Sequence, residues 1–202
     1  MVDSAEPRKG ERTRRRLLDL AVARFAVDGY RRTSVSAVAR EAGLTPAAAY
    51  AYFPSKEALF AAAVDADADA LIHEALGRIG GDRSVRERLV LLLAELRAAL
   101  ERHPLARRVL AGREPEVTGR LLDLPALTAL REAVAADLEA GRATGTVRAD
   151  LDPVAVALGL QTIALALLMA QLQVEAVAAP AQQNARIGAV LAVLDAALSP
   201  SP

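Results

Sequence analysis

The chain has 202 residues, of which 53% are hydrophobic and 25% are charged, a composition typical of a globular protein with a substantial core. It contains no cysteine, which excludes disulfides, thiolate catalysis and cysteine-ligated zinc. The net charge is zero, but residues 1–57 carry 11 basic against 7 acidic side chains, and residues 58–202 carry 14 against 18. A basic amino-terminal part favours contact with phosphate groups.

Residues 1–11 are polar and predict a flexible basic arm that lacks the apolar core of a signal peptide. Two interpretations of this arm stay open: contact with a DNA backbone or minor groove, and a solvated chain end. A first helix is predicted from about Arg12 to Val27, followed by Asp28-Gly29, because apolar side chains recur on one face: Leu17, Ala21 and Phe25.

Two short helices joined by a tight turn are predicted between Thr33 and Pro54. Thr33 is a suitable N-cap for the first helix, and Gly43 suits the left-handed residue that closes it. Thr45 is a suitable cap for the second helix, and Pro46 fits its first position, where no amide donor is needed. This pattern is typical of a helix-turn-helix, whose second helix enters the major groove of DNA.

The same stretch resembles the TetR family of bacterial transcriptional regulators. The resemblance covers the first quarter to third of the chain, at Leu17, Leu18, Ala21, Phe25, Gly29, Thr33-Ser34-Val35, Val38-Ala39, Ala42-Gly43, Tyr50-Ala51-Tyr52-Phe53, Ser55-Lys56-Glu57 and Leu59. It implies an all-α fold with a three-helix DNA-binding head at residues 12–57. Residues 58–202 would then form a helical domain for effector binding and dimerisation.

The resemblance also implies which residues contact DNA. The predicted set comprises Thr33, Ser34, Ser36, Thr45, Pro46, Ala47, Ala48, Tyr50, Tyr52 and Lys56. Within it, the phenol groups of Tyr50 and Tyr52 and the ammonium group of Lys56 match phosphate-contacting positions. Core packing is the alternative for aromatic side chains, and we assign Phe53 to the core. The second helix carries no Arg, Asn, Gln or Lys, so only modest base specificity is expected.

After Leu59, a series of helices rich in alanine and leucine is predicted. The helix capped by Ser55 continues to about Ala75, and a capping box at Ser84-Val85-Arg86-Glu87 opens a helix to about Arg102. Prolines suited to a first helical turn and glycines suited to helix ends mark the next elements: Pro104, Pro115, Pro125, Gly112 and Gly141.

The last two helices are predicted at about Pro153–Ala178 and Ala181–Leu198, and both are apolar on nearly all sides. The longest apolar run, Val154 to Ala170, is interrupted by Gln161 and Thr162 and is short for a membrane span. We therefore expect a soluble, cytoplasmic protein without a membrane contact. Its last two helices would be buried partly within the subunit and partly in a four-helix homodimer interface.

By resemblance, the helical body encloses a cavity for a small-molecule effector. All six aromatic side chains lie at or before Phe60, so this cavity would be aliphatic and would suit an aliphatic or small neutral effector. A surface or core position is the commoner role for each of the candidate ligand-binding residues, which are His73, His103, Gln161, Thr162 and Met169, with Gln171 and Gln173 as further polar candidates.

The chain offers no visible catalytic set, because it has only two histidines, no cysteine and no Ser–His–carboxylate pattern. We expect no enzyme activity, no cofactor and no metal site. The predicted function is a ligand-responsive repressor that binds a palindromic double-stranded DNA operator, with recognition helices about 34 Å apart in the homodimer. The alternative is an activator, or a global or architectural DNA-binding regulator without an effector, on the same scaffold.

Overall fold

The computed structural model describes residues 9–80, 83–118, 121–174 and 180–199, and these residues form α-helices and one short 3-10 turn, Leu121–Asp123, with no strand among them. The helices are α1 (Lys9–Arg32), α2 (Val35–Glu41), α3 (Pro46–Tyr50), α4 (Lys56–Gly77), α5 (Val85–Ala99), α6 (Pro104–Leu110), α7 (Pro115–Thr118), α8 (Pro125–Ala143), α9 (Pro153–Val174) and α10 (Pro180–Leu198). The predicted all-α class is confirmed. Residues 1–8 of the predicted arm and the predicted helix end at Ala178 lie outside the described residues.

Phe25 lies at the centre of the amino-terminal head, which α1, α2 and α3 form. Its side chain is fully buried, and its ring meets the Phe60 ring of α4 edge-on with 4.8 Å between centroids. Leu17 and Ala21 are buried on the same face of α1, as the helical spacing predicts. Because edge-on aromatic pairs add to the free energy of apolar burial, this contact fastens the head to α4.

The first helix is longer than predicted. It begins at Lys9 instead of Arg12. Its regular part ends at Gly29, whose φ is 78°, as predicted, and helical residues continue beyond this kink to Arg32. The predicted arm therefore contributes its last three residues to the helix. The polar first turn of α1 is exposed to solvent, so no apolar repeat in the sequence marks the residue at which this helix begins.

The N-cap of α2 is Ser34, and the prediction of Thr33 at this position is wrong. Ser34 Oγ accepts a hydrogen bond from Ala37 N at 3.1 Å. Thr33 is buried instead, and its hydroxyl donates to Gly29 O at 2.9 Å. Both residue types are good caps, and the tertiary burial of Thr33 decides between them.

The turn between α2 and α3 forms as predicted. Gly43 adopts φ 74°, and Leu44 N donates to Ala39 O at 2.8 Å, which closes α2 with a left-handed glycine. Thr45 Oγ1 then accepts a hydrogen bond from Ala48 N at 3.2 Å and so caps α3. This tight turn fixes the angle at which α3 leaves α2.

Most helix starts in the body also follow the prediction. The capping box of α5 is present, since Glu87 N donates to Ser84 Oγ at 3.2 Å and Ser84 N donates to Glu87 Oε2 at 2.9 Å. Pro104, Pro115 and Pro125 begin α6, α7 and α8. The end of α5 at Ala99 precedes the predicted end at Arg102, where the chain turns towards α6.

The prediction of a helix end at Gly141 is wrong, because α8 continues to Ala143. A Cβ atom on Gly141 would lie 2.6 Å from Val147 Cγ2 and 2.9 Å from Val85 Cγ2. The glycine therefore allows the loop after α8 and the start of α5 to pack directly against the helix backbone. The left-handed residue that follows α8 is Gly145, with φ 72°.

The ninth helix is less buried than expected. Only 17% of its most apolar window is buried inside the chain, and Val154, Leu158 and Ile163 are 66%, 49% and 39% exposed. By length and composition alone, residues Pro153–Gln173 could cross a membrane. The subunit thus covers one side of α9 and leaves an apolar side open to another surface.

Replacement of Phe25 with alanine is expected to destabilise the protein by about 3–5 kcal/mol, because the change removes a fully buried ring from the head core. Thermal or urea unfolding of the purified protein measures this change. The control is Val27→Ala, which truncates a 73% exposed side chain of the same helix and should stay within about 0.5 kcal/mol of the wild type. Equal stabilities of the two variants would contradict the assignment of Phe25 to the core.

Candidate DNA-binding interface and ligand cavity

Seven of the predicted DNA contacts are exposed or half-buried residues on α2, α3 and their caps. We call this the DNA-facing surface and define it as the exposed or half-buried set Ser34, Ser36, Thr45, Pro46, Ala47, Ala48 and Tyr50. These residues lie on α2, α3 and the caps that begin them, and α2 packs directly against α3. Thr33, which was predicted as part of the same set, lies in the interior of the head at 5% exposure.

The cap hydroxyls of the DNA-facing surface keep a hydrogen-bond donor. Ser34 Oγ and Thr45 Oγ1 each accept a backbone N–H, so their oxygens act as acceptors within the protein. A hydroxyl group also has one proton to donate, and in both exposed residues this proton can point towards solvent. Phosphate oxygens accept such donors, so the caps that start the helices can also position a DNA backbone.

Tyr50 and Tyr52 differ in their surroundings. Tyr50 is 46% exposed at the end of α3, with its phenol group on the DNA-facing surface. Tyr52 is half-buried and packs partly against the core, while Phe53 is 3% exposed, as its assignment to the core predicts. The Arg14 guanidinium lies 4.9 Å from the centroid of the Phe53 ring, so α1 also holds this segment. The structure therefore gives Tyr50 the freer hydroxyl for a phosphate contact.

Lys56 has a structural contact that the sequence did not indicate. Its Nζ atom donates to Arg31 O at 3.2 Å and lies 4.4 Å from the centroid of the Tyr30 ring. The ammonium group thus joins the start of α4 to the end of α1. A phosphate contact by Lys56 would use its remaining N–H donors.

Tyr30 forms a second link between the same two helices. Its hydroxyl donates to Glu57 Oε1 at 2.5 Å. This hydrogen bond is the largest cause of two opposite shifts, since it lowers the pKa of Glu57 to about 2 and raises the pKa of Tyr30 to about 12. The bond is therefore formed by a neutral phenol and an ionised carboxylate over the whole physiological range.

Several arginines of the head are held by partners rather than free for DNA. Arg24 Nε donates to Glu41 Oε2 at 2.8 Å, and this surface ion pair links α1 to α2. Arg31 pairs with Glu116 at 3.3 Å, and Arg32 Nε donates to Asp28 O at 3.0 Å. Part of the positive charge of the head is therefore paired within the protein.

The family model for bacterial regulatory proteins of the tetR family matches residues 17–63, which span the whole helix-turn-helix described above and the first turns of α4. The amino-terminal head is thus a DNA-binding domain of the TetR family. A 53-residue segment is 45% identical to the uncharacterized HTH-type transcriptional regulator YdgC of Bacillus subtilis (strain 168) and covers 26% of this chain and 27% of that protein.

A longer segment of the chain, 120 residues, is 28% identical to the HTH-type transcriptional repressor KstR of Rhodococcus jostii (strain RHA1) and covers 54% of this chain and 56% of KstR. The matches thus span about a quarter and about half of these relatives. The solved structure of the transcriptional regulator FadR from Bacillus subtilis in complex with stearoyl-CoA is 20% identical, covers 91% of this chain and 98% of FadR, and has a TM-score of 0.67, which shows a common fold. The relatives are transcriptional regulators and not enzymes.

The helical body contains two adjoining cavities. The inner cavity lies between α4, α5, α6, α8 and α9, and the outer cavity lies between α5, α8, α9 and α10. Four residues line both cavities: Leu96, Leu130, Gln161 and Ala164. The lining is aliphatic apart from Gln161 and, in the outer cavity, Arg131. An apolar lining with a few polar groups is typical of a site for a small organic molecule.

Only one of the predicted ligand-binding residues lines these cavities. Gln161 is 8% exposed and lies between them. His73 is instead exposed on α4 beside Asp69, and Thr162 is exposed with its hydroxyl donating to Leu158 O at 2.9 Å. Met169 packs against the core without lining either cavity. His73 and Thr162 occupy helix positions next to buried ones, and the helical rotation turns them outward.

His103 precedes α6 and binds two carboxylates of α4. Its Nδ1 lies 2.9 Å from Asp67 Oδ1, and its Nε2 lies 3.3 Å from Glu74 Oε2. Asp67 Oδ2 also accepts the Ala106 N–H at 2.8 Å. The buried Asp67 therefore anchors the start of α6 to α4, and His103 serves this junction instead of the cavity.

The other end of α6 is joined to α1. Arg108 forms an ion pair with Glu114, which is 2% exposed, and Glu114 Oε2 accepts the Tyr30 N–H at 3.0 Å. We call this set (Tyr30, Arg108 and Glu114) the head–body latch. Between the two junctions, α6 contributes Ala106, Val109 and Leu110 to the wall of the inner cavity.

The variant Tyr30→Phe is expected to raise the pKa of Glu57 from about 2 towards its ordinary 4.5. A depressed carboxylate pKa stabilises the folded state above about pH 4.5, and this stabilisation is lost as the pH falls towards 2. The stability difference between wild type and variant should therefore shrink as the pH falls through this window. Carboxyl NMR titration and thermal unfolding across the window measure both effects.

The matched control is Tyr52→Phe, which removes a phenol hydroxyl from the half-buried Tyr52 and leaves the bond to Glu57 intact. A pKa of Glu57 that is the same in wild type and Tyr30→Phe would contradict the structure of this junction.

Proposed function

We propose that the protein is a ligand-responsive transcriptional repressor in the cytoplasm that binds a palindromic operator as a homodimer. The observation that carries this proposal is the DNA-facing surface, where α3 is presented at an exposed end of the head beside two hydroxyl caps and the exposed Tyr50. A helix held in this way can enter a major groove while the surrounding donors bind the phosphates on either side. The named repressor KstR among the relatives supports repression.

Base recognition by α3 rests on small side chains. Ala47 is exposed and Ala48 is half-buried, and neither can form the paired hydrogen bonds that distinguish guanine or adenine. Thymine methyl groups and DNA shape remain as the sources of specificity. We expect an operator whose half-sites are individually weak and whose symmetry and spacing matter most.

The open side of α9 supports the homodimer. Val154, Leu158 and Ile163 present apolar surface on this helix, and Val193 of α10 is 68% exposed. A second copy of α9 and α10 would cover these side chains in a four-helix interface. In the TetR family a partner helix is a better occupant than a lipid, since the head of the same chain is built to bind DNA. The dimer would place two copies of α3 about 34 Å apart, to match successive major grooves.

The cavities and the junctions of α6 support a ligand switch. A molecule in the inner cavity contacts Ala106, Val109 and Leu110, and α6 is tied to α4 at one end and to α1 at the other. A ligand that prefers one position of α6 would shift the heads and lower the affinity for the operator. The structure of FadR with stearoyl-CoA supports an effector that carries an aliphatic chain.

Direct DNA binding is tested with Tyr50→Phe. The variant removes one hydroxyl donor from the DNA-facing surface, and the affinity for duplex DNA is expected to fall about three- to tenfold, equally for specific and non-specific sequences. Fluorescence anisotropy at low salt measures this, with an operator selected from random duplexes. The control is Thr144→Val, which removes one exposed hydroxyl at the end of α8 in the body, away from this surface. Failure of the wild type to bind any duplex would refute the proposed function.

The homodimer is tested with Leu158→Glu. This variant places a charge on the exposed apolar side of α9, so we expect a monomer at micromolar concentration and at least a tenfold loss of operator affinity. Analytical ultracentrifugation and anisotropy measure the two effects. The control Val27→Glu adds the same charge to an exposed valine of α1 and should leave the dimer intact. A wild-type monomer, or a Leu158→Glu dimer, would rule out this interface.

A further inference from the structure

We propose that the ligand of the body ends in a carboxylate, which Arg131 of α8 and Gln161 of α9 bind where the two cavities meet. This proposal rests on the proposed effector cavity and names the chemical class of its ligand. Gln161 is 8% exposed and lines both cavities, and Arg131 lines the outer one. Arg131 Nη1 donates to Gln161 Oε1 at 3.3 Å, which brings the two side chains together.

The hydrogen bond from Arg131 fixes the orientation of the Gln161 amide. A guanidinium has only donors, so the amide atom that faces it must be the oxygen. The amide nitrogen, Nε2, is then buried, and it has no hydrogen-bond partner among the described residues. A buried donor without a partner is unfavourable, and an acceptor in the cavity would remove this penalty.

Arg131 also has no acidic partner among the described residues, in contrast to other arginines of the body. Arg88 pairs with Asp137, Arg102 with Glu74 and Arg108 with Glu114. The guanidinium of Arg131 therefore brings a positive charge to an aliphatic cavity without a protein carboxylate to neutralise it. A ligand carboxylate would supply the charge and two acceptor oxygens, one for the guanidinium and one for the Gln161 amide.

The rest of the cavity determines the other end of the ligand. Apart from Gln161, the side chains of the inner cavity are aliphatic. A polar or aromatic tail would find no hydrogen-bond partner or ring there, whereas an unbranched hydrocarbon chain would bury apolar surface along its whole length. The ligand class is accordingly a monocarboxylic acid with a long aliphatic chain.

The test compares decanoate, 1-decanol and decanoyl-CoA, which share the aliphatic chain and differ at its polar end. Isothermal titration calorimetry with the full-length protein measures their affinities. We expect decanoate to bind about ten- to hundredfold more tightly than 1-decanol, as hydrogen bonds to a charged group predict. Arg131→Met should abolish this preference, and Gln161→Leu should reduce it. Arg131→Lys should keep part of it, because the charge is retained without the planar fork.

The control is Arg148→Met, which removes an equal charge from a loop arginine paired with Asp150 and should preserve the preference for decanoate. Circular dichroism checks the folding of each variant, and Arg131→Lys decides the outcome if Arg131→Met does not fold. Equal binding of decanoate and 1-decanol, or an unchanged preference in Arg131→Met, would overturn the carboxylate site and leave the effector cavity standing. Binding of decanoyl-CoA alone would also overturn it. No binding of any probe would overturn both the site and the aliphatic cavity.

Discussion

The arrangement of head and body depends on one buried carboxylate, that of Glu114. A charge at 2% exposure is stable only when it is paired and hydrogen-bonded, and Glu114 obtains its partners from both parts of the molecule. Arg108 of the body supplies the opposite charge, and Tyr30 N at the end of α1 supplies the amide donor. Separation of head and body would leave this carboxylate without an amide partner. The head–body latch therefore makes the position of the head sensitive to any movement of α6.

Gly29 allows the latch to form. Its φ of 78° bends the end of α1, and a Cβ atom at this position would lie 2.8 Å from Glu114 Oε1. The bend directs the Tyr30 N–H towards the body, while the Tyr30 side chain meets Glu57 and Phe60 of α4. Tyr30 thus contacts α4 through its side chain and, through its backbone N–H, the Glu114 carboxylate that pairs with Arg108 of α6. In the proposed switch, movement of either helix would reach the head through this segment.

The sequence predicted those features that local chemistry determines. Caps, proline-marked helix starts and the glycine turn at Gly43 need only neighbouring residues, and nearly all of them were placed correctly. The N-cap of α2 was predicted at Thr33, one position too early, because the burial of Thr33 depends on the rest of the fold. The latch joins Tyr30 to Glu114 across 84 positions, and Arg131 meets Gln161 across 30, so no local pattern indicates either pair. The sequence around Arg131 does not distinguish it from an arginine that is exposed to solvent.

The cavity lies where a ligand can act on the head through packing alone. Leu96, Leu130 and Ala164 belong to both cavities, so a chain that fills one of them also shapes the wall of the other. Packed walls respond to filling by changing position rather than by compressing. Ala106, Val109 and Leu110 place α6 on that wall, whereas Asp67 holds its first turn to α4. A filled cavity can therefore turn α6 about its first turn, and its other end carries Arg108 of the latch. In the proposed switch, the operator affinity would change only by the difference in ligand affinity between the two positions of α6.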